Sequence, residues 1–346
     1  MKYYSPQSKE KISLKVESSP VWEIILGIAG YTHSKLRHTF DFDEKWKMDS
    51  PSMPAALQNR LIWIEETNSW FALIMLQNKL SAETIRDFSN SLYQVTYEEF
   101  YEIVLPYKNR ECENLRRSLA ENMLNNELLN TYVEQFKDHE FLGGYIQNLS
   151  RQGLDELREL LIDSVQEWFA WISQKEEWST WSKALQYEDK LQASLDEKNP
   201  IEEIERITGG VRYVPEPSIW TIKLIPHVSY RPWVMEQRTS ETKLFFYPVK
   251  EEYLLEPGVP GQDLINGHKA LGDGTRLKLL YELMKGPLSL QEISGRFNLS
   301  KTTVHHQLSL LKAAKLVRTD KGIYSINEIQ IHSLTNKLEQ FLGIRK

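Results

Sequence analysis

Six polar side chains between residues 301 and 312 share a spacing and a chemistry. At 100° per residue, Lys301, Thr302, His305, His306, Ser309 and Lys312 fall within about 180° of one side of a helix. They are short hydrogen-bonding groups flanked by cations. A helix lying in a DNA major groove needs that combination, small polar side chains for base edges and cations for phosphates. Ser300 and Thr303 stand at the start of the same segment and extend its polar end. An ordinary solvated helix face carries the same residue types, so the surrounding elements have to decide.

Val304, Leu308 and Leu311 occupy the opposite side and give this helix an inner face. Ahead of it, Ser289-Leu290-Gln291-Glu292 has the spacing of a capping box, in which the Ser hydroxyl and Glu carboxylate satisfy free amides reciprocally. The box predicts a short helix with Leu290, Ile293 and Phe297 inward, ended by the tight turn Asn298-Leu299-Ser300. Two short helices so joined form a helix-turn-helix. Upstream, Asp273 predicts the N-cap of a helix through Leu277, Leu280 and Leu283, closed by Gly286-Pro287. Downstream, residues 316–326 read as two strands around Asp320-Lys321-Gly322, where glycine takes the positive φ of a hairpin turn. Arg318 and Lys321 put positive charge at the tip of that hairpin, and the whole pattern is that of a winged helix. A last helix, from about 328 to 342, spaces Ile331, Leu334, Leu338 and Phe341 by three, four and three. That is a seam facing its own domain or a second subunit.

Charge divides the chain in the same place. The 346 residues carry a formal net charge of −6, which argues against a nucleic-acid binder until it is split by region. Residues 265–346 hold 13 Lys and Arg against 6 Asp and Glu, a net of +7. The remainder holds 29 against 42, a net of −13.

These motifs resemble a known family. Residues 271–280, LGDGTRLKLL, resemble the opening helix of ArsR-type winged-helix repressors, and residues 300–317, SKTTVHHQLSLLKAAKLV, are similar to their recognition helix and first wing strand. The resemblance implies homodimeric binding to an operator, with the first and last helices of the module forming the dimer contact. It departs from the family at two points. Ser-x-His-Leu is replaced by His305-His306-Gln307-Leu308, and the glycine common after the recognition helix is Lys315. The family's metal sites are also missing. Its Cys-x-Cys falls on Ser289 and Gln291, which offer no thiolate for a soft metal. Its Asp-x-His and His-x-x-Glu fall on Gln330 with His332, and on Gly343 with Lys346.

The first three quarters of the chain read as fold rather than function. Residues 11–17 alternate like a strand, Ser19-Pro20 opens a helix, and residues 55–208 are helical almost throughout, with a capping box at Thr96 to Glu99. After Gly209-Gly210, β-branched and aromatic runs punctuated by prolines predict a small antiparallel sheet, joined by the first strand. No phosphate loop, dinucleotide fingerprint, His-Glu-x-x-His or nucleophile elbow occurs in residues 1–264, so no catalytic residue is assigned and no enzyme is expected. His33 and His38, near Asp41, Asp43 and Glu44, could hold a metal, but a polar surface explains them more simply. Trp168 and Trp171, with Trp220 and Trp233, are candidates to line an apolar effector pocket, against the plainer alternative of core packing.

The expected architecture is therefore α+β and mainly helical. A sensing or dimerisation domain would occupy residues 1–256, a linker rich in proline and glycine 257–264, and a winged helix-turn-helix 265–346. The expected function is a sequence-specific transcriptional regulator, read as a repressor. Its partners would be double-stranded DNA, a second copy of itself and an unknown non-metal effector, with no cofactor. A single cysteine, Cys112, excludes an internal disulfide. The polar start and the short longest apolar run, Trp70 to Leu76, read as a cytoplasmic protein without a membrane partner. The rival classes are an enzyme with a regulatory winged-helix tail and a winged helix that binds protein.

Overall fold

The structure is a computed structural model describing residues 12–192, 195–196, 199–255, 258–320 and 322–342. The chain divides into two compact units, one ending at Val249 and the other beginning at Lys250.

In the amino-terminal unit, strand β1 (Ser13–Val16) leads into helix α1 (Pro20–Thr32). The Ser19 side chain accepts the Trp22 amide at 3.4 Å, and Pro20 takes the first helical position, where its missing N–H costs nothing. Helix α1 is buried on every side, which is why its sequence is apolar without a polar stripe. Helix α2 (Trp70–Leu80) contains the longest apolar run and packs against α1, so that run is core. No described helix is long and apolar enough to cross a membrane. Helix α3 (Leu154–Ile172) crosses α1 at Gly27, where an added Cβ would lie 2.7 Å from Trp168 Nε1. Only glycine permits that approach. The expected capping box at Thr96 is formed, with Thr96 and Glu99 exchanging side-chain-to-amide bonds.

The sheet corrects one expectation. Strands β2 (Thr221–His227), β3 (Met235–Arg238) and β4 (Thr242–Pro248) join β1 in the order β1-β2-β4-β3. β1 pairs parallel to β2, and β2 parallel to β4; only β3 and β4 are antiparallel. The sheet is thus mixed and mostly parallel. The reason lies in connectivity: the whole helical run separates β1 from β2, the long crossover a parallel pair requires. The hairpin after β3 turns β4 back beside β2 and leaves β3 at the edge. β2 is accordingly buried at every position from Ile222 to His227, instead of at alternate ones. Its Lys223 is satisfied inside, 2.8 Å from Glu17 Oε1 and donating to the Asn78 carbonyl at 2.8 Å. Of the β-branched and aromatic runs after Gly209-Gly210, residues 211–214 and most of 228–235 lie outside the sheet.

The second unit opens with helix α4 (Gln262–Leu271), inside the segment that composition reads as a linker. Helix α5 (Gly274–Met284), strand β5 (Leu288–Ser289), helix α6 (Leu290–Phe297), helix α7 (Lys301–Ala313), strands β6 (Val317–Asp320) and β7 (Ile323–Ile326), and helix α8 (Glu328–Phe341) follow. The three strands form an antiparallel sheet in the order β5-β7-β6. Leu279, Leu283, Ile293, Val304, Leu308, Leu311 and Leu316 make one core beneath it. This is the winged helix-turn-helix arrangement, and the molecule as a whole is mainly helical α+β.

Two buried groups give the amino-terminal unit a pH dependence. The Glu23 carboxylate of α1 accepts the backbone amides of Val228 and Ser229, each at 2.8 Å, and the Ser229 hydroxyl. Burial nevertheless pushes Glu23 up from 4.5 to about 7. Burial pushes the adjacent His227 down from 6.5 to about 3. Glu23 binds its proton more readily when folded, so its contribution is present below pH 4.5 and lost as pH rises to about 7. His227 acts in the opposite sense, destabilising the fold as pH falls below 6.5. Relative to a Glu23→Gln variant, the wild type is expected to lose up to ~3 kcal/mol between pH 4.5 and 7, read by urea unfolding at each pH. Parallel pH profiles for the two proteins would refute this.

Candidate nucleic-acid interface

The recognition surface is built from caps outward. Ser289 Oγ accepts the Glu292 amide at 3.3 Å, and Glu292 Oε2 accepts the Ser289 amide at 2.8 Å, so the predicted capping box starts α6. Asn298 ends α6 in the left-handed region with φ 50°, and Ser294 Oγ donates to the Leu299 carbonyl at 2.6 Å to tighten the turn. Ser300 then caps α7, accepting the Thr303 amide at 3.1 Å, and the two hydroxyls lie 2.8 Å apart. Two of the predicted DNA-facing residues are therefore engaged in starting the helix.

Val304, Leu308 and Leu311 are fully buried, as their phase requires. Lys301, Thr302, Thr303, His305, His306, Ser309 and Lys312 are exposed, so the structure brings the predicted face together. Ser309 donates to the His305 carbonyl at 2.8 Å, which leaves its oxygen to act as an acceptor. Leu310 lies on the same surface and is 39% exposed. An apolar side chain there suits the methyl of thymine. Polar pattern alone overlooked it; its displacement from the phase of Val304, Leu308 and Leu311 was the available signal.

The wing differs from expectation in one respect. Arg318 pairs across from Ser325 near the base of the hairpin, not at its tip. Its Nη2 donates to Asn327 Oδ1 at 2.9 Å, and Asn327 Nδ2 donates to the Lys315 carbonyl at 2.8 Å. Arg318 is drawn back toward the end of α7 by this bridge. Lys321 lies outside the described residues.

Helix α8 divides the predicted seam. Leu334, 4% exposed, packs on Gly267 of α4, where an added Cβ would come within 2.5 Å of its Cδ1. Ile331 packs against the core of its own unit, and Leu338 is half-buried. Phe341, with Leu342 beside it, is exposed.

The structure does not gather the four candidate effector tryptophans. Trp168 and Trp171 are buried in the helical core, Trp168 packing on Tyr31 and Trp46. Trp220 and Trp233 are 44% and 46% exposed at the ends of strands. The amino-terminal unit has a cleft of about 860 Å³ that none of the four lines. Its wall groups largely pair with one another, Arg116 and Arg117 with Glu113, and Lys223 with Glu17 just behind it. The sequence cluster around His33 and His38 separates: Asp43 pairs with Arg37 and Lys47, and His33 Nδ1 lies 3.3 Å from the Tyr230 hydroxyl. Among the described residues, no group of three His, Cys, Asp or Glu could hold a metal ion.

Comparison with known proteins gives a family match in the second unit and a similar repressor. The family model described as "Bacterial regulatory protein, arsR family" matches residues 273–319, from the Asp273 cap to the first wing strand. The transcriptional repressor SdpR of Bacillus subtilis (strain 168) is 33% identical over 82 residues, covering 22% of this chain and 91% of the relative.

Lys315 occupies a left-handed backbone position, φ 59°, where the resembling family has glycine. Its ammonium lies 3.2 Å from Asp263 Oδ2 of α4, which Lys337 of α8 also approaches at 3.2 Å. Burial alone would raise the Asp263 carboxyl, but the two lysines hold it below the usual range. The left-handed conformation costs a side chain ~1 kcal/mol or more, and an exposed ion pair returns at most about that. Lys315→Gly should therefore stabilise this unit by ~0.5 kcal/mol, while Lys315→Ala, keeping the strain and losing the pair, should destabilise it. Urea unfolding distinguishes the two; equal losses would show that the ion pair outweighs the strain.

Proposed function

This chain belongs, through its carboxy-terminal unit, to the arsR family of bacterial regulatory proteins, and on that premise we propose that it represses transcription by binding an operator as a homodimer. The observation that carries the reading is the outward face of α7. A helix capped at Ser300 and anchored by three buried aliphatic residues presents Lys301, Thr302, His305, His306 and Lys312 to solvent. Two such helices related by a dyad would enter successive major grooves of an inverted repeat, about one helical turn apart.

Roles follow from position. Lys301 and Lys312 sit at the two ends of one flank of α7, where a groove-bound helix meets the phosphate walls. Thr302 and His306 lie near the centre of the outward face and would read base edges, with His305 and Ser309 beside them. Ser300 and Thr303 set the start of the helix. Arg318 would serve the wing through its base, and Lys321 through its turn. Exposed Phe341 on α8 would belong to the dimer contact, with Ile331, Leu334 and Leu338 shaping that helix from within.

The amino-terminal unit would bind an effector other than a metal. Such a ligand changes operator affinity only by binding the DNA-competent and incompetent states unequally. The chemistry of the second unit is recognition, and no enzymatic step is proposed for the first.

The decisive experiment selects duplexes from a random pool with the full-length chain and measures their affinity over a salt series. Enrichment of an inverted repeat is expected; binding that is wholly salt-labile and blind to sequence would defeat the operator reading. Lys301→Ala and Lys312→Ala should each lower affinity for all duplexes and reduce the salt slope by about 1. His306→Ala should change the selected sequence instead, and an unchanged selection removes His306 from base readout.

A further inference from the structure

Helix α4 is tied to α7 itself through Arg276, and to Lys315 just beyond the end of α7 through Asp263. Its guanidinium uses all three nitrogens. Nε donates to the Ala270 carbonyl at 2.6 Å, Nη2 to the Lys269 carbonyl at 2.8 Å, and Nη1 to Gln307 Oε1 at 3.0 Å. The two carbonyls belong to the last turn of α4, where a helix leaves acceptors without internal partners and its dipole favours a cation. Gln307 lies in α7 between His306 and Leu308. Arg276 stands in the first turn of α5, its own amide held by Asp273 Oδ1 at 3.0 Å. Because the guanidinium is planar and rigid, one side chain fixes three helices against one another.

Directionality makes this matter for DNA. The contacts of Val304, Leu308 and Leu311 are hydrophobic, hence non-directional; they choose which face of α7 turns inward but not its final rotation. Side-chain atoms on the outer face lie ~5–6 Å from the helix axis, so a rotation of about 10° moves them ~1 Å. Base-edge hydrogen bonds do not survive a displacement of that size. The Gln307 bond is directional and attaches to α7 next to His306.

We propose that Arg276, acting through Gln307, is a positioning residue for base recognition: it sets the rotation of α7 about its axis and touches no DNA itself. This rests on the operator-binding reading. The test uses the full-length chain, a duplex selected by the wild type, and a scrambled duplex of equal length. Arg276→Ala and Gln307→Ala should each cut the ratio of the two affinities about tenfold or more. Both should leave the scrambled duplex's affinity and salt slope unchanged, and the double variant should lose no more than either single one. Arg276→Lys keeps the charge without the fork and should behave like the alanine variant. Gln307→Ala leaves the bonds from Arg276 to α4 in place, so it decides the matter if Arg276→Ala unfolds. An unchanged ratio in Gln307→Ala overturns the proposal. So does a salt slope reduced by about 1 in Arg276→Ala, which would make Arg276 a phosphate contact. A wild type that does not discriminate the duplexes defeats the operator reading, and the positioning role with it; discrimination retained by wild type and variants alike defeats the positioning role alone.

Discussion

The inward phase of Val304, Leu308 and Leu311 is the constraint on which the carboxy-terminal unit depends. Each contributes roughly 1.5–3 kcal/mol by leaving water. Advancing α7 by one residue would turn it 100°, expose this stripe and press Lys312 and His305 toward the core. The cost of burying an unpaired cation makes that rotation prohibitive. The caps at Ser289 and Ser300 follow from the same constraint, because they fix where α6 and α7 begin and so which residues fall in phase. The wing strands close the core on another side through Leu316 and Val317. What remains outward is the polar face. Its composition is free to vary because none of it is needed for packing.

The amino-terminal unit is organised around a different necessity. Helix α1 is buried on all sides and brings one carboxylate, Glu23, into the interior. That group is tolerable because two amides and a hydroxyl from the turn after β2 converge on it. The turn in turn holds β2 against α1, with Trp22 packed edge-on against Phe246 of β4. Helix and sheet are joined there by a polar contact inside an apolar layer. Ionisation of Glu23 therefore acts on the junction between the two layers.

Local chemistry was legible in the sequence, and long-range pairing was not. Capping residues at Ser19, Thr96, Asp273 and Ser289 sit within three positions of the amides they satisfy, so spacing alone finds them; the cap at Ser300 obeys the same spacing but reads in sequence as part of the turn. The face of α7 follows from a single helical period. The direction of β1 against β2 depends on a crossover through the whole helical run, and no local pattern encodes it. The tryptophans of α3 share a helical face, but whether that face meets a cavity or other side chains is decided by α1 and by Trp46, far away in sequence. Arg276 and Gln307 lie 31 positions apart, and neither is unusual in its own neighbourhood. The reading of residues 257–264 as a linker rests on the prolines and glycines at 257–261, yet Gln262 opens a helix directly after them.

That last point bears on how the two units could communicate. Within the second unit, which begins at Lys250, the covalent path to the recognition helix runs through α4. Asp263 at the start of α4 holds Lys315 just beyond the end of α7, and the carbonyls at its far end hold Arg276 against Gln307 within α7. Gly267, between them, receives Leu334 of α8 so closely that even a methyl group would be excluded. A helix gripped at both ends and the middle cannot shift without disturbing α7 or α8. Regulation by an effector needs an element whose displacement differs between two states. In this unit α4 has both the covalent connection and the contacts for that role, and a flexible linker in its place would have neither.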